Sequence, residues 1–147
     1  MKFSAICENH LFSKAYSKGR RYVTERVAVY VLPDYAAARL QKAHPERIRV
    51  NRIGLTVSKK LGGAVVRNRT KRILREGYRA AKTKRPMKTG FLIVIAAREA
   101  ATKAKSPTMA HDLARAFTKL EQKRQAAGEG IVALLLLELH DFLLFFL

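Results

Sequence analysis

Apolar residues along this chain recur with two different periods, and the changeovers divide it into elements. From Arg21 to Leu32 they alternate, with Val27, Val29 and Val31 on one side and Ala28, Tyr30 and Leu32 on the other, which predicts a strand. Pro33 and Asp34 break it, and the connection to about Pro45 has room for a helical turn. Alternation returns from Ile48 to Ser58, where Ile53, Leu55 and Val57 oppose Arg52, Gly54 and Thr56, giving one or two further strands. Phe91 to Ala97 (FLIVIAA) is a continuous apolar run of strand length, as a strand buried on both faces requires.

Helical spacing fills the gaps. Asn9 is placed to cap a short helix to about Lys18, with Phe12 and Tyr16 on one face and Gly19 expected to end it in the left-handed conformation. After Gly62 and Gly63 a longer helix is expected from about Val65 to Lys82, closed by Pro86. In it Val66, Thr70, Ile73, Gly77 and Ala81 cluster within about 80°, and Asn68, Lys71, Arg72, Arg75, Arg79 and Lys82 fill the opposite arc. Ser106 and Pro107 read as the cap and first turn of a last helix with Met109, Leu113, Phe117 and Leu120 on one face. The order is helix, strands, helix, strand, helix, an α+β sandwich of a small sheet with helices.

The last 17 residues, IVALLLLELHDFLLFFL, differ in kind, with 14 apolar residues following Gly128-Glu129-Gly130. Three readings stay open: a membrane span, an extra helix packed on this protein or a partner, and a disordered or spurious extension. Glu138, His140 and Asp141 fall inside the segment, and a span needs roughly 20 apolar residues. The division expected is one domain over residues 1–124 and an apolar extension over 125–147.

Charge then narrows the partner. The chain carries a formal charge of +19 over 147 residues. Between positions 52 and 88, thirteen Lys and Arg face a single acid, Glu76. An ordinary solvated helix face mixes signs for pairing and solubility, so this one calls for a polyanion, nucleic acid first and anionic membrane second. The planar fork of arginine suits phosphate oxygens, and Asn68 on the same face can donate and accept at a base edge or a 2′-hydroxyl. The preceding SKKLGG can bring Lys59, Lys60 and backbone amides close to a phosphate, although the phosphate-loop spacing is absent.

Other chemistry finds little support. Phe12, Tyr16 and Tyr30 could stack on unpaired bases or simply fill a core, and the sequence leaves both open. His10, His44, His111 and His140 are scattered without metal-ligand spacing, so no metal site is expected. No carboxylate pair or nucleophile triad emerges, and no catalytic residue is assigned. Asn68-Arg69-Thr70 matches a glycosylation triplet only by coincidence, because MKFSAICENH breaks at Glu8 and Asn9 before a signal-peptide core could form. Cys7 alone cannot make an intramolecular disulfide. A cytoplasmic location is expected.

Residues 54–79, GLTVSKKLGGAVVRNRTKRILREGYR, resemble the signature of the protein subunit of bacterial ribonuclease P. The likeness extends more weakly to HLFSKAYSKG, VAVYV and FLIVIAAR, covering about residues 8 to 122 and leaving out the tail. The resemblance implies an α+β fold with a small mixed four-stranded sheet in the order α-β-β-β-α-β-α and a left-handed β-α-β crossover of the ribosomal protein S5 domain 2-like kind. It implies that a catalytic RNA with Mg²⁺ removes the 5′ leader of precursor tRNA, while a small basic protein, monomeric in the holoenzyme, completes the particle without a small-molecule cofactor. RNA-subunit contacts map to Lys59, Lys60, Arg67, Asn68, Arg69, Lys71 and Arg72, to which helical phase adds Arg75 and Arg79. A leader-binding cleft maps to Phe12, Tyr16, Ala28 and Tyr30.

Three departures from the family pattern bear on this. SAICENH stands where an arginine-rich segment is often found, residues 33 to 49 are longer than the shortest members need, and Glu-Ala follows Arg98, so only Arg98 carries over at that strand end. Two rival readings are an RNA-binding ribosomal or chaperone protein without a processing role, and a membrane-active basic protein.

Overall fold

A computed structural model describes residues 4–46 and 50–146. The element order is β1 (Ser4–Ala5), α1 (Asn9–Lys18), β2 (Arg20–Val23), β3 (Val27–Pro33), α2 (Tyr35–Ala43), β4 (Arg52–Thr56), a 3₁₀ turn (Lys59–Leu61), α3 (Ala64–Lys84), β5 (Phe91–Ala97), a second 3₁₀ turn (Glu99–Lys103) and α4 (Ser106–Phe146). One mixed sheet runs β1-β4-β5-β3-β2. Its spine is β5, antiparallel to β3 from Val27↔Ala97 to Pro33↔Phe91 and parallel to β4 from Arg52↔Leu92 to Thr56↔Ala96.

Side-chain alternation in β5 makes two cores. Ile93 and Ile95 join Val27, Val29, Val31 and Ile53 on the face covered by α3 and α4, where Leu74, Met109, Leu113 and Phe117 are fully buried. Leu92 and Val94 point the other way and, with Ile6, Ala15 and Leu32, form a smaller core under α1. The α+β class holds, and the apolar run of β5 is buried on both faces as its sequence required. The backbones of α3 and α4 come close at Gly77, where a Cβ would lie 2.8 Å from Met109 Cγ.

Among the described residues there are five strands where four were expected. The segment read as one strand from Arg21 to Leu32 is a hairpin, because Thr24 takes backbone and hydroxyl bonds with Val27 and turns the chain. β1 adds a two-residue edge parallel to β4, too short to carry a period. The expected start of the next strand at Ile48 and Arg49 lies outside the described residues. The long connection holds the full helix α2, capped by Asp34, whose Oδ1 accepts from the Ala37 N–H at 3.2 Å.

Three expected helix ends also differ. Gly19 ends α1 with φ −71°, extended rather than left-handed, and the N-cap of α1 is Glu8, not Asn9. The Ser106 hydroxyl bonds the Glu76 carboxylate and so ties α4 to α3. Helix α4 continues through Gly128 to Phe146 as one helix, so the glycines do not break it.

Asp34, 2% exposed, anchors the end of β3 to β4. Arg52 grips it with two bonds, Nε to Oδ2 at 2.7 Å and Nη2 to Oδ1 at 2.9 Å, and reaches Glu8 before α1 at 3.5 Å. Burial pushes the Asp34 carboxyl up, but the bonds from Arg52 and from the Ala37 and Ala36 N–H groups outweigh it and hold the carboxyl below its usual range. The pair therefore contributes stability in full above the ordinary carboxylate range, and that stability is lost as pH falls through the lowered value. Asp34→Asn should cost about 3 kcal/mol in urea unfolding at pH 7, because it removes the buried carboxylate that the half-buried Arg52 guanidinium grips with two bonds. The deficit should shrink steadily below about pH 4. An equal deficit at pH 7 and pH 3 would show that the carboxylate charge is not what matters.

Candidate nucleic-acid interface

Helix α3 lies with one stripe inside and a cationic face outside. Thr70, Ile73, Leu74, Gly77, Tyr78 and Ala81 are buried. Thr70 satisfies its hydroxyl on the Val66 carbonyl at 2.8 Å, so a polar residue can sit in the stripe. Burial pushes the Tyr78 hydroxyl up to about 12. The stripe is wider than helical phase suggested, since it takes in Leu74 and Tyr78. It is also shorter at its start, where Val66 is 38% exposed.

On the outer face Asn68, Arg69, Arg72, Arg75 and Arg79 are exposed, and Arg67 and Lys71 are half-buried. Glu76 is the one acid on the helix, and it is shared between the Ser106 hydroxyl and Arg72, the latter at 4.0 Å on an exposed surface where such a pair is worth little. Arg69 donates from Nη1 to the Thr102 carbonyl at 3.1 Å, which turns part of its fork toward the second 3₁₀ turn. The Nε of Arg67 is buried without a hydrogen-bond partner among the described residues. Lys59 and Lys60 stand exposed on the first 3₁₀ turn, which Ser58 caps by accepting from the Lys60 N–H at 3.3 Å. Gly62 then turns the chain into α3 with φ +145°, a conformation that a residue with Cβ would resist.

The second group of sequence candidates lies across the sheet. Tyr16 of α1 donates its hydroxyl to Thr56 Oγ1 at 2.9 Å, and its ring meets Tyr30 edge-on at 4.9 Å between centroids. It remains 40% exposed. Phe12 seats its ring over Gly54, where an added Cβ would come within 2.4 Å of Cε1. It is half-buried against the smaller core, so packing claims much of it. Ala28 pairs with Ala96, and Ala96 with Thr56, giving a row of small side chains across β3, β5 and β4 at the end of α1. Tyr16 and Tyr30 thus stand at the rim of a shallow floor. Ala96 and Thr56 belong to it, and sequence reasoning missed both because strand register is not visible in the chain.

The two groups meet at the β4 edge. β1 pairs only with Arg52 and Ile53, and beyond it a cavity of about 190 Å³ opens between α1 and α3. Phe12, Gly54 and Leu55 line one wall, and Lys71, Arg75 and Tyr78 the other. Lys71 and Arg75 of the α3 face therefore border the same space as the α1 aromatic. Arg98, carried over at the end of β5, donates to the Thr24 carbonyl at 2.7 Å and is held at the hairpin.

The comparisons agree with this architecture. The family model described as Ribonuclease P matches residues 1–121. The ribonuclease P protein component of Clostridium botulinum is 36% identical over 98 residues, covering 67% of this chain and 77% of that protein. The component from Desulfovibrio desulfuricans is 43% identical over 83 residues, 56% of each chain. The solved structure of the Staphylococcus aureus RNase P protein superposes with a TM-score of 0.61 at 27% identity, over 80% of this chain and 94% of that one.

The exposed face makes a direct prediction for polyanion binding. Arg72→Ala should leave folding stability within about 0.5 kcal/mol, because its ion pair is exposed and alanine favours the helix. RNA affinity should fall by roughly 1 to 3 kcal/mol, and the slope of log affinity against log salt should lose about one unit. Titration at several salt concentrations decides it, and an unchanged slope removes Arg72 from the phosphate contacts.

Proposed function

The chain belongs to the ribonuclease P protein family, and from that premise we propose that it is the protein component of a ribonuclease P holoenzyme that removes the 5′ leader of precursor tRNA. The observation that carries the mechanism is the junction at the β4 edge, where Lys71 and Arg75 of α3 share a cavity with Phe12 of α1. A protein built this way can touch a folded RNA on one side and a single strand on the other.

In this reading the face formed by Arg67, Asn68, Arg69, Lys71, Arg72, Arg75 and Arg79, with Lys59 and Lys60, docks on the RNA subunit. Its arginines release counterions from a phosphate backbone and pair with its oxygens. The leader lies over the floor of Ala28, Ala96 and Thr56, with Tyr16 and Tyr30 at its rim and Phe12 beyond. The hydroxyl bond to Thr56 holds the Tyr16 ring in place, so a base can stack on it without first ordering the side chain.

The protein contributes position and charge screening. Fixing the leader relative to the RNA subunit turns an encounter into an oriented one. Among the described residues no group of three or more His, Cys, Asp or Glu could hold a metal ion. The ion that assists the cleavage is assigned to the RNA subunit, and no step is routed through the protein. The component is taken to act as one copy per particle in the cytoplasm.

Reconstitution with the cognate RNA subunit and a precursor tRNA at low Mg²⁺ tests the main reading. A correctly placed 5′ cut that depends on the protein is expected. RNA binding without any gain in cleavage would instead make this a structural RNA-binding protein. Tyr16→Ala should slow cleavage of long-leader precursors by about tenfold, the worth of one stacked base, while the RNA subunit binds normally. Equal losses on long-leader and one-nucleotide-leader precursors would place Tyr16 outside the leader path.

A further inference from the structure

Where α4 leaves the sheet, a cavity of about 320 Å³ opens between that helix and the Pro33–Phe91 end of β3 and β5. The volume falls within the range of small-molecule sites, about 300 to 1,000 Å³. Its walls are apolar, with Val31 and Pro33 from β3, Phe91 from β5, Leu120 from α4 and Met87 from the loop after α3. Met87 also borders cavities of about 480 and 220 Å³, so its unbranched thioether chain has room to shift and fit an occupant.

The rim carries the charge. Lys18 ends α1 and Arg20 opens β2, and both are exposed. Neither has an acid partner among the described residues. The one acid in the lining is Glu121, and it is already engaged. Arg124 donates to its Oε2 from Nε at 3.0 Å and from Nη2 at 2.9 Å, and the Lys88 N–H donates to Oε1 at 3.4 Å. Two uncompensated cations at the mouth of an apolar cavity favour an anion over a neutral guest of the same shape.

The hydrogen-bonding groups of the walls narrow the body of that anion. Pro33 has no N–H, the Phe91 N–H is given to Asn51 Oδ1 at 2.9 Å, and Val31 lies in the ladder between Arg20 and Ile93. A nucleobase placed here would leave most of its polar edge unmet, which is costly in an apolar site. Inorganic phosphate would leave the walls uncovered. A hydrophobic ring carries neither penalty, and Phe91 and Met87 suit an aromatic one.

We propose that this cavity is a binding site for a small amphipathic anion, an aromatic carboxylate whose ring lies among Phe91, Met87 and Leu120 and whose carboxylate meets Lys18 and Arg20. Val31 and Phe91 face α3 and α4, whereas the floor of Ala28, Ala96 and Thr56 lies on the α1 side of the same sheet. None of the cations assigned to the RNA subunit lines the cavity. The ligand and RNA therefore occupy separate places.

The methionines give a local readout, because the chain has three, Met1, Met87 and Met109, and Met109 is fully buried in the main core. With ¹³C-methyl methionine in the full chain, 1-naphthoate should shift the Met87 signal saturably and leave Met109 nearly unmoved. The uncharged 1-naphthamide should bind about tenfold more weakly. Lys18→Gln with Arg20→Gln should bring the two probes to equal affinity at an unchanged urea midpoint. Adenosine monophosphate should bind about tenfold more weakly than naphthoate. In equilibrium dialysis, naphthoate should bind equally to the free chain and to its complex with the RNA subunit. Absence of a saturable Met87 shift, or equal binding of naphthoate and naphthamide by the parent, would overturn the proposal, and so would a preference for naphthoate that persists in the double variant. Tighter binding of adenosine monophosphate, or displacement of naphthoate by the RNA, would overturn it in favour of a nucleotide site.

Discussion

Parallel pairing of β4 with β5 governs the rest of this structure. Two parallel neighbours cannot be joined by a hairpin, so the chain must leave the sheet, cross one face and return. The crossing element is α3, which therefore has one stripe that must be buried and one face that nothing in the chain has to cover. The basic signature sits on that obligatory crossover. Thr70 and Gly77, odd residues for a buried stripe, fit because the hydroxyl closes on its own helix and the glycine lets α4 approach.

Central placement of β5 has a second consequence on the opposite face. Leu92 and Val94 need cover, and the ten-residue α1 supplies it for only part of the sheet. Where α1 ends, the row of Ala28, Ala96 and Thr56 is left shallow and open, and Tyr16 is pinned at its edge by the Thr56 hydroxyl. The cleft is thus the uncovered remainder of a sheet whose middle strand is apolar on both sides. Its position beside α3 follows from β4 being the strand that feeds the crossover.

Much of this was legible in the chain, for a reason that differs from element to element. The alternation of Val27, Val29 and Val31 and the run FLIVIAA reflect burial along single strands, a local property. The basic run was equally legible because its residues are contiguous on one helix. What escaped depends on neighbours far away in sequence: the register that sets Ala96 beside Ala28 and Thr56, and the approach of α4 that buries Leu74 and Tyr78. Gly19 and Ser106 carried correct local signals for helix ends, yet tertiary contacts gave them other geometry. Arg69 belongs to the signature, but its bond to the Thr102 carbonyl could not be read from spacing.

The cations divide into two classes that the sequence does not distinguish. Arg52 and Arg26 turn inward to Asp34 and Asp112, carboxylates that are 2% and 7% exposed, and hold strand ends to α2 and α4. Pairs so shielded feel dissolved salt weakly, whereas the open face of α3 feels it strongly. Folding and RNA affinity can therefore respond to ionic strength in opposite directions, since screening relieves self-repulsion in a chain of +19 while removing the counterion-release drive for binding. A polyanion placed on α3 would relieve that same repulsion directly, so the charge that is least favourable in the free protein would become the main source of affinity in such a complex. The cationic face is tolerated because the crossover fixes it on a helix whose buried side, packed against α4 and the sheet, is strong enough to hold it.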